Sequence, residues 1–410
     1  MLKYFKILLC SVVAVLAVLN TLEACTTAII SGKYTVDGRP LLWKHRDSGF
    51  EQNKIMHFED GQYPYLGLIN TVDTLGTEVW AGYNTQGFAI MNSASYNLKP
   101  HTDTTKLKDQ EGVVMKKALQ SCATISDFER LLQSWPKPIG VEANFGVIDA
   151  RGGAAYFETS NFDYTKIDVN DPAVAPFGYV VRTNYSYYGK KNDGYGFIRE
   201  NAAEMLLRQA VNVNNLSARW LLQKAGRSLK HGLLQRDLWQ EPLPSADEAH
   251  FAIMTDYIPR PSSVSTVVVH GVRQGQNTEW ATMWTILGFQ LTSVALPLWV
   301  QAGPALPQVL QSQDGQPAPL CDFSLKLKER CFPIKRGSGY RYLNLSALAN
   351  KQTQGILQKL KPVENQIFER HQELMQNWQE AGQPETVQMR RWYEDIDQHI
   401  RESYNQAFGL

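Results

Sequence analysis

Apolar and polar positions alternate in short bursts from Thr26 to about Asn92. Thr26–Ser31, Pro40–Lys44, Lys54–Phe58, Tyr65–Ile69, Glu78–Tyr83 and Phe88–Asn92 each have the length and content of a strand. Asp37-Gly38, Asp60-Gly61 and Gln86-Gly87 mark turns between them. The period then lengthens. Residues 111–135 carry a helical pattern, with Ser126 and Glu129 spaced as a capping box and Pro136 as a stop. Strand signals return at Asn144–Asp149 and Ala154–Thr159, joined by Arg151-Gly152-Gly153 as a hairpin turn, and again at Tyr179–Arg182. Residues 195–210 and 217–227 are expected to be helical. A third group of strands is expected at Ser265–His270, Ala281–Leu287 and Ser293–Trp299. Gln301–Pro319, rich in Pro and Gln, then has the composition of a long surface loop.

From Leu345 onward Gln, Glu, Lys and Arg dominate. Ile356, Leu360, Val363 and Ile367 recur at helical spacing, as do Met389, Tyr393, Ile396 and Ile400, with Pro384 between the two runs. Two amphipathic helices packed on the main domain are expected, with a dimerisation arm as the alternative. No internal repeat is visible. The order of strands, helices, strands and helices lacks a regular βαβ alternation. It points to an α+β layered fold with mostly antiparallel sheets.

Composition narrows the function. Hydrophobic residues make up 43% of the 410, enough for a substantial core. The 41 Lys and Arg balance 40 Asp and Glu without a long basic run, so nucleic acid is not the expected partner. The eight His are scattered, without the spacing of a metal site, and no cofactor is expected.

Residues 1–24 read as a targeting segment. Lys3 and Lys6 precede an apolar run, Ile7–Leu19, interrupted only by Cys10 and Ser11, and Ala24 suits a leader-peptidase cut. The run is short for a membrane span. Export to the periplasm or medium is therefore expected, without stable membrane insertion after the leader is removed. Cleavage leaves Cys25, Cys122, Cys321 and Cys331. Cys122 follows an apolar helical pattern and reads as a buried thiol. Cys321 and Cys331 are close enough in sequence for a small disulfide loop, a question that spacing leaves open.

Cleavage after Ala24 would make Cys25 the first residue, and such a nucleophile carries its own base. An α-amine has a pKa of about 7.7–8 and a free thiol about 8.5, so the amine can accept the thiol proton near neutrality. The thiolate could then attack an amide carbonyl and form a thioester. The chemistry also needs a group to orient the amine, donors for the oxyanion and a cavity for the acyl group.

Cys25-Thr26-Thr27-Ala28-Ile29-Ile30, then Asp37-Gly38, then Lys44-His45-Arg46-Asp47 resemble the opening of N-terminal nucleophile hydrolases. The nearest groups are the acyl-CoA:6-aminopenicillanate acyltransferase-like (peptidase C45) family, the choloylglycine hydrolases and the C69-type dipeptidases. Gly82–Asn92, Asn144–Asp149 with Gly153, and Arg182-Thr183-Asn184 resemble later blocks. The resemblance implies a four-layer αββα sandwich and hydrolysis, or acyl transfer, at small-molecule linear amides, non-peptide or small-peptide, with a C69-like dipeptidase as an alternative. It implies Cys25 as nucleophile, Asp47 as the carboxylate that binds its amine, Asn92 as an oxyanion donor, Asn184 as a residue holding nucleophile and substrate, and Arg199 as an active-site arginine. The family usually has Arg three residues before the Asp. This chain has Lys44 there and Arg46 displaced by two, so either could supply the positive charge. Trp80 and Tyr83 are candidate walls of the acyl pocket, and Arg46 a candidate substrate contact.

These features divide the chain into a leader at 1–24, a catalytic domain at 25–340 and a helical extension at 341–410. Two other readings compete. Leu22-Glu23-Ala24-Cys25 resembles a lipobox, which would acylate the Cys25 sulfur and make the protein a tethered binding lipoprotein. Glu23 fits that motif poorly, and a strand starting at Thr26 leaves no flexible tether. A papain-like protease would need an interior Cys at a helix N-terminus, and Cys122 lacks the flanking signature. Substrate identity and self-association are not legible.

Overall fold

In the computed structural model, which describes residues 24–100, 102–313 and 315–410, the chain folds as two antiparallel sheets lying face to face. Residues 1–23, where the targeting segment is expected, fall outside the described residues. The first sheet contains β1 (Thr26–Ile30), β2 (Leu41–Asp47), β10 (Tyr179–Arg182), β12 (Ser263–His270), β13 (Thr282–Leu287) and β14 (Leu296–Leu298), ordered β10-β1-β2-β12-β13-β14. The second is a meander of β3 (Asn53–Phe58), β4 (Tyr65–Asn70), β5 (Ala81–Asn84), β6 (Ala89–Ala94), β7 (Ala143–Ile148), β8 (Ala154–Thr159) and β9 (Tyr164–Asp168). A short pair, β11 (Phe251–Ile253) with β15 (Tyr342–Asn344), stands apart.

All seven residues of β2 are buried, polar ones included, because the first sheet is covered on both faces. The pleat then decides where each side chain goes. Thr27 and Lys44 pair across β1 and β2 and face the second sheet, where the Tyr156 hydroxyl donates to Thr27 Oγ1 at 2.9 Å. Thr26 and His45 pair on the opposite face, toward the helices. Gly146 lets the sheets approach closely: a Cβ there would lie 2.3 Å from Met91 Cε and 2.9 Å from Ile29 Cγ1.

Helices α1 (Glu111–Ser121) and α2 (Ile125–Ser134) cover the outer face of the second sheet, where Phe128 meets Phe145 and Phe157 edge-on. Helix α3 (Phe197–Asn212) packs on β10 and β1, and α4 (Pro319–Cys331) on β13. The result is the αββα sandwich that the family resemblance implies. The extension forms α5 (Ile356–Ala381) and α6 (Thr386–Phe408). Phe368 stacks on Trp284 and Tyr393 on Trp299, while Arg227 pairs with Glu364 at 2.7 Å. Among the described residues, no helix is long and apolar enough to cross a membrane.

Several local expectations are corrected. The capping box is Thr124 with Asp127, not Ser126 with Glu129, because Asp127 reaches back to the Thr124 N–H. Residues 217–227 give one short α-turn, Ala218–Trp220, continued by a π-helical turn, Leu221–Ala225. Pro319 opens α4 rather than ending a loop, a position where its missing N–H costs nothing. Cys321 and Cys331 lie on that one helix and are both free thiols. Ten residues at about 1.5 Å per residue separate them by roughly 15 Å, far beyond the ~7 Å limit for a disulfide. Cys122 is buried, and burial pushes its thiol up to about 12.

Candidate active site around Cys25

Cys25 lies immediately before β1, still joined to Ala24, and each is only 6% exposed. Carrying the β1–β2 register back places Cys25 opposite Arg46 and Ala24 opposite Asp47. The two-residue period assigns Cys25 to the face that carries Lys44.

Two arginines grip the consecutive carbonyls around this bond. Arg199, on α3 and fully buried, donates through Nη1 to the Cys25 carbonyl at 2.7 Å and to Thr26 Oγ1 at 2.9 Å. Its Nη2 donates to Asn184 Oδ1 at 2.7 Å, and Asn184 Nδ2 donates to the Ala94 carbonyl at 2.9 Å. Asn184 thus ties the end of β6 to the arginine. Burial, reinforced by Arg260 nearby, pulls the Arg199 pKa down to about 9.

Arg260 grips the other carbonyl. Its Nη2 donates to Ala24 O at 2.9 Å and to Asp47 Oδ2 at 2.6 Å, and its Nε reaches the same carboxylate oxygen at 2.9 Å. Ser263 Oγ donates to Asp47 Oδ1 at 2.5 Å, and His45 Nε2 lies 3.0 Å from the same hydroxyl. Burial drives the His45 pKa down to about 4, so the ring is neutral near pH 7.

Lys44 Nζ donates to Asn92 Oδ1 at 2.6 Å and to the Trp80 carbonyl at 2.7 Å. Met91 pairs with Gly146 on the side facing the first sheet, so the pleat turns Asn92, one residue on, the other way with Phe145. Lys44 reaches it just beyond the Ala81–Met91 end of the β5–β6 ladder. Among the described residues, Asn92 makes no hydrogen bond to Cys25. Trp80 and Asn92 share the wall of a cavity of about 300 Å³ with Tyr96, Leu107 and Val141. Arg46 lies 4.9 Å from the Trp80 ring centroid and donates to Asn53 Oδ1 at 2.6 Å, so it backs that wall. Tyr83 does not line this cavity. Its hydroxyl accepts from Val300 N at 2.7 Å and lies 3.3 Å from the Ala281 carbonyl, both on the far side of the core.

No protein-family model matches the chain, and no curated protein matches it. The solved structures it resembles include an N-acylethanolamine-hydrolyzing acid amidase ortholog from Caenorhabditis elegans, at 13% identity and a TM-score of 0.39, covering 60% of this chain and 92% of that one. They also include a variant of the conjugated bile acid hydrolase from Clostridium perfringens, at 12% identity and a TM-score of 0.40, covering 67% and 92%. Penicillin V acylase from Agrobacterium tumefaciens matches at 11% identity and a TM-score of 0.38, covering 67% and 86%. These likenesses are partial, and the chemistry is carried by this chain's own residues.

The structure therefore gathers Cys25, Asp47, Asn184 and Arg199 into one hydrogen-bonded group with Arg260, places Lys44, Asn92, Trp80 and Arg46 beside a neighbouring cavity, and leaves Tyr83 in the core. Sequence reasoning missed Arg260 and Ser263. Their only signal is the pairing of β12 with β2, which sets Ser263 opposite Asp47 across more than 200 residues of chain.

Proposed function

We propose that the protein is an exported amidohydrolase or acyltransferase for linear amides that uses Cys25, freed by removal of the leader, as an N-terminal nucleophile. The observation that carries this reading is the Asp47 carboxylate opposite the Ala24–Cys25 bond, with Arg199 fixing the Cys25 carbonyl. Cutting that bond would create an α-amine beside a buried carboxylate, on a residue whose backbone is already pinned.

The amine takes the thiol proton, and the Cys25 sulfur forms a bond to the amide carbon. Collapse breaks the C–N bond as the ammonium returns its proton to the departing nitrogen. Water then attacks the thioester, gives a proton to the amine and releases the acid, and the thiol is restored. An acceptor amine in place of water gives acyl transfer. Asp47 holds the ammonium near the sulfur, while Arg199 and Asn184 keep the residue in place. The lipoprotein alternative is disfavoured by the burial of Ala24 and Cys25, which leaves a tether no slack.

N-terminal sequencing of exported protein should return Cys25 first. Cys25→Ser and Cys25→Ala should abolish turnover of a panel of acyl p-nitroanilides. Undiminished turnover by Cys25→Ala would refute the mechanism, and a chain starting elsewhere would remove its base.

A further inference from the structure

The two arginines around Cys25 differ in what happens to their acceptors when residue 24 is removed. Arg199 holds the carbonyl of Cys25 itself, which stays. Arg260 holds the carbonyl of Ala24, which leaves with the leader. The donor does not leave with it. Asp47 still clamps the Arg260 guanidinium through Nε at 2.9 Å and Nη2 at 2.6 Å, and Ser263 still fixes Asp47. Processing thus leaves a charged donor aimed at the spot where a carbonyl oxygen used to be, two covalent bonds from the Cys25 nitrogen.

We propose that Arg260 donates to the oxyanion of the substrate, and that the Ala24 carbonyl occupies the place of the substrate carbonyl until the leader is lost. The inference rests on the reading of Cys25 as nucleophile. A carbonyl attacked by Cys25 Sγ must lie within bonding reach of that residue, and Ala24 marks where this chain holds one. As the C–S bond forms, the carbonyl π pair moves onto oxygen, and Arg260 donates to the charge that appears there. When the oxygen pair returns, the C–N bond breaks. Arg260 acts throughout as a hydrogen-bond donor. Its charge is matched by Asp47 before the substrate binds.

Access exists on this side. The Arg260 side chain is 15% exposed and borders a cavity of about 420 Å³ with Ser48, Gly49, Asp256, Ser262 and Tyr340. Arg199, by contrast, is fully buried and makes only positioning contacts. Asn92, turned to the other face of its sheet, is not needed for this contact.

The test uses protein released from a removable fusion that leaves Cys25 first, so that processing cannot confound it. Arg260→Met and Arg260→Lys are assayed on phenylacetyl and butyryl p-nitroanilide, with unfolding curves taken alongside. Arg260→Met should lower kcat by about 10²–10³-fold, with KM within about threefold of wild type. Millimolar guanidinium chloride should restore at least about tenfold of that loss, and ammonium chloride should not, because only guanidinium rebuilds the fork on Asp47. Ser263→Ala, which loosens Asp47 but leaves the guanidinium, should lose less and show no rescue. Arg260→Met with kcat near wild type, a loss confined to KM, or a loss that guanidinium cannot restore would overturn the proposal. Wild-type protein that is inactive with Cys25 first, or active Cys25→Ala, would instead overturn the nucleophile reading.

Discussion

Arg199→Met isolates how much of the site depends on pinning the Cys25 backbone. The guanidinium serves three acceptors with two nitrogens: the Cys25 carbonyl at 2.7 Å, Thr26 Oγ1 at 2.9 Å and Asn184 Oδ1 at 2.7 Å. Hydrogen bonds from a charged donor contribute about 1.5–3 kcal/mol each, so the gross loss is about 5–9 kcal/mol. Burial opposes this. It already pulls the Arg199 pKa down from its ordinary value, with Arg260 adding to the shift. A net destabilisation of about 2–4 kcal/mol is expected once that cost is relieved.

Activity should fall further than stability requires. A nucleophile displaced by about 1 Å costs on the order of 10²-fold in rate, and Met leaves both the Cys25 carbonyl and Asn184 unheld. Arg199→Lys keeps the charge on one nitrogen, which cannot span Cys25 and Asn184 as the fork does. It should keep more of the stability and still lose at least about tenfold in kcat. Urea unfolding gives the first quantity and steady-state kinetics the second. A wild-type kcat in Arg199→Met, or a kcat loss that Arg199→Lys fully rescues, would show that the fork is not what holds the nucleophile.

The docking of the extension should weaken in acid. Burial raises the Glu364 pKa, but the Arg227 charge and hydrogen bonds outweigh it and hold the carboxyl below its ordinary value. That stability is present above the ordinary carboxylate pKa and lost as pH falls through the depressed one, so urea midpoints should drop there in wild type and less so in Arg227→Met. Tyr83→Phe should leave relative rates across an acyl panel unchanged while costing about 1–3 kcal/mol, because it removes the acceptor for Val300 N and the donor to the Ala281 carbonyl, both away from the site. Thiol titration of unfolded, unreduced mature protein should count four free thiols, and two would refute the placement of Cys321 and Cys331 on one helix.

What the sequence revealed of this molecule follows the range of each interaction. The β1–β2 pair is nearly local, so the family resemblance takes in Cys25, Lys44 and Asp47 within one short stretch of chain. The extension was legible because an amphipathic helix states its period within a few turns, and Pro384 marks the break. Arg260 and Ser263 were invisible because β12 reaches β2 only after the whole second sheet has been threaded. The Cys321–Cys331 question stayed open for the opposite reason: nearness in sequence does not give nearness in space when a helix intervenes. Asn92 shows a finer limit. A motif position does not say which face a residue takes, and one residue along a strand exchanges the faces of a sheet; the structure sets Asn92 on Lys44 and beside Trp80.

That exchange of faces also explains why one strand can serve two tasks. In β2, Lys44 points toward the second sheet and reaches Asn92 and the Trp80 carbonyl, while Asp47, three residues on, takes the opposite face and meets Arg260 and Ser263. An odd separation is required, since an even one would put both side chains on the same side. Lysine suits the first task because its reach is long and its ammonium is a compact donor, able to enter the gap beyond the β5–β6 ladder where a planar fork needs more room. The bidentate group is needed at Asp47 instead, and α3 and the segment before β12 supply the two arginines that bracket the bond beside it. A strand divided in this way loses the Asp47–Arg260 contact if Asp47 shifts register by one, and keeps Lys44 on Asn92. Inserting one residue between Arg46 and Asp47, which leaves Lys44 and Arg46 in register with Trp80, should therefore abolish turnover on the proposed function while sparing the environment of Trp80. Intrinsic fluorescence of a single-tryptophan variant retaining Trp80 would read this, and a quenched or red-shifted signal would show that the two halves are not separable.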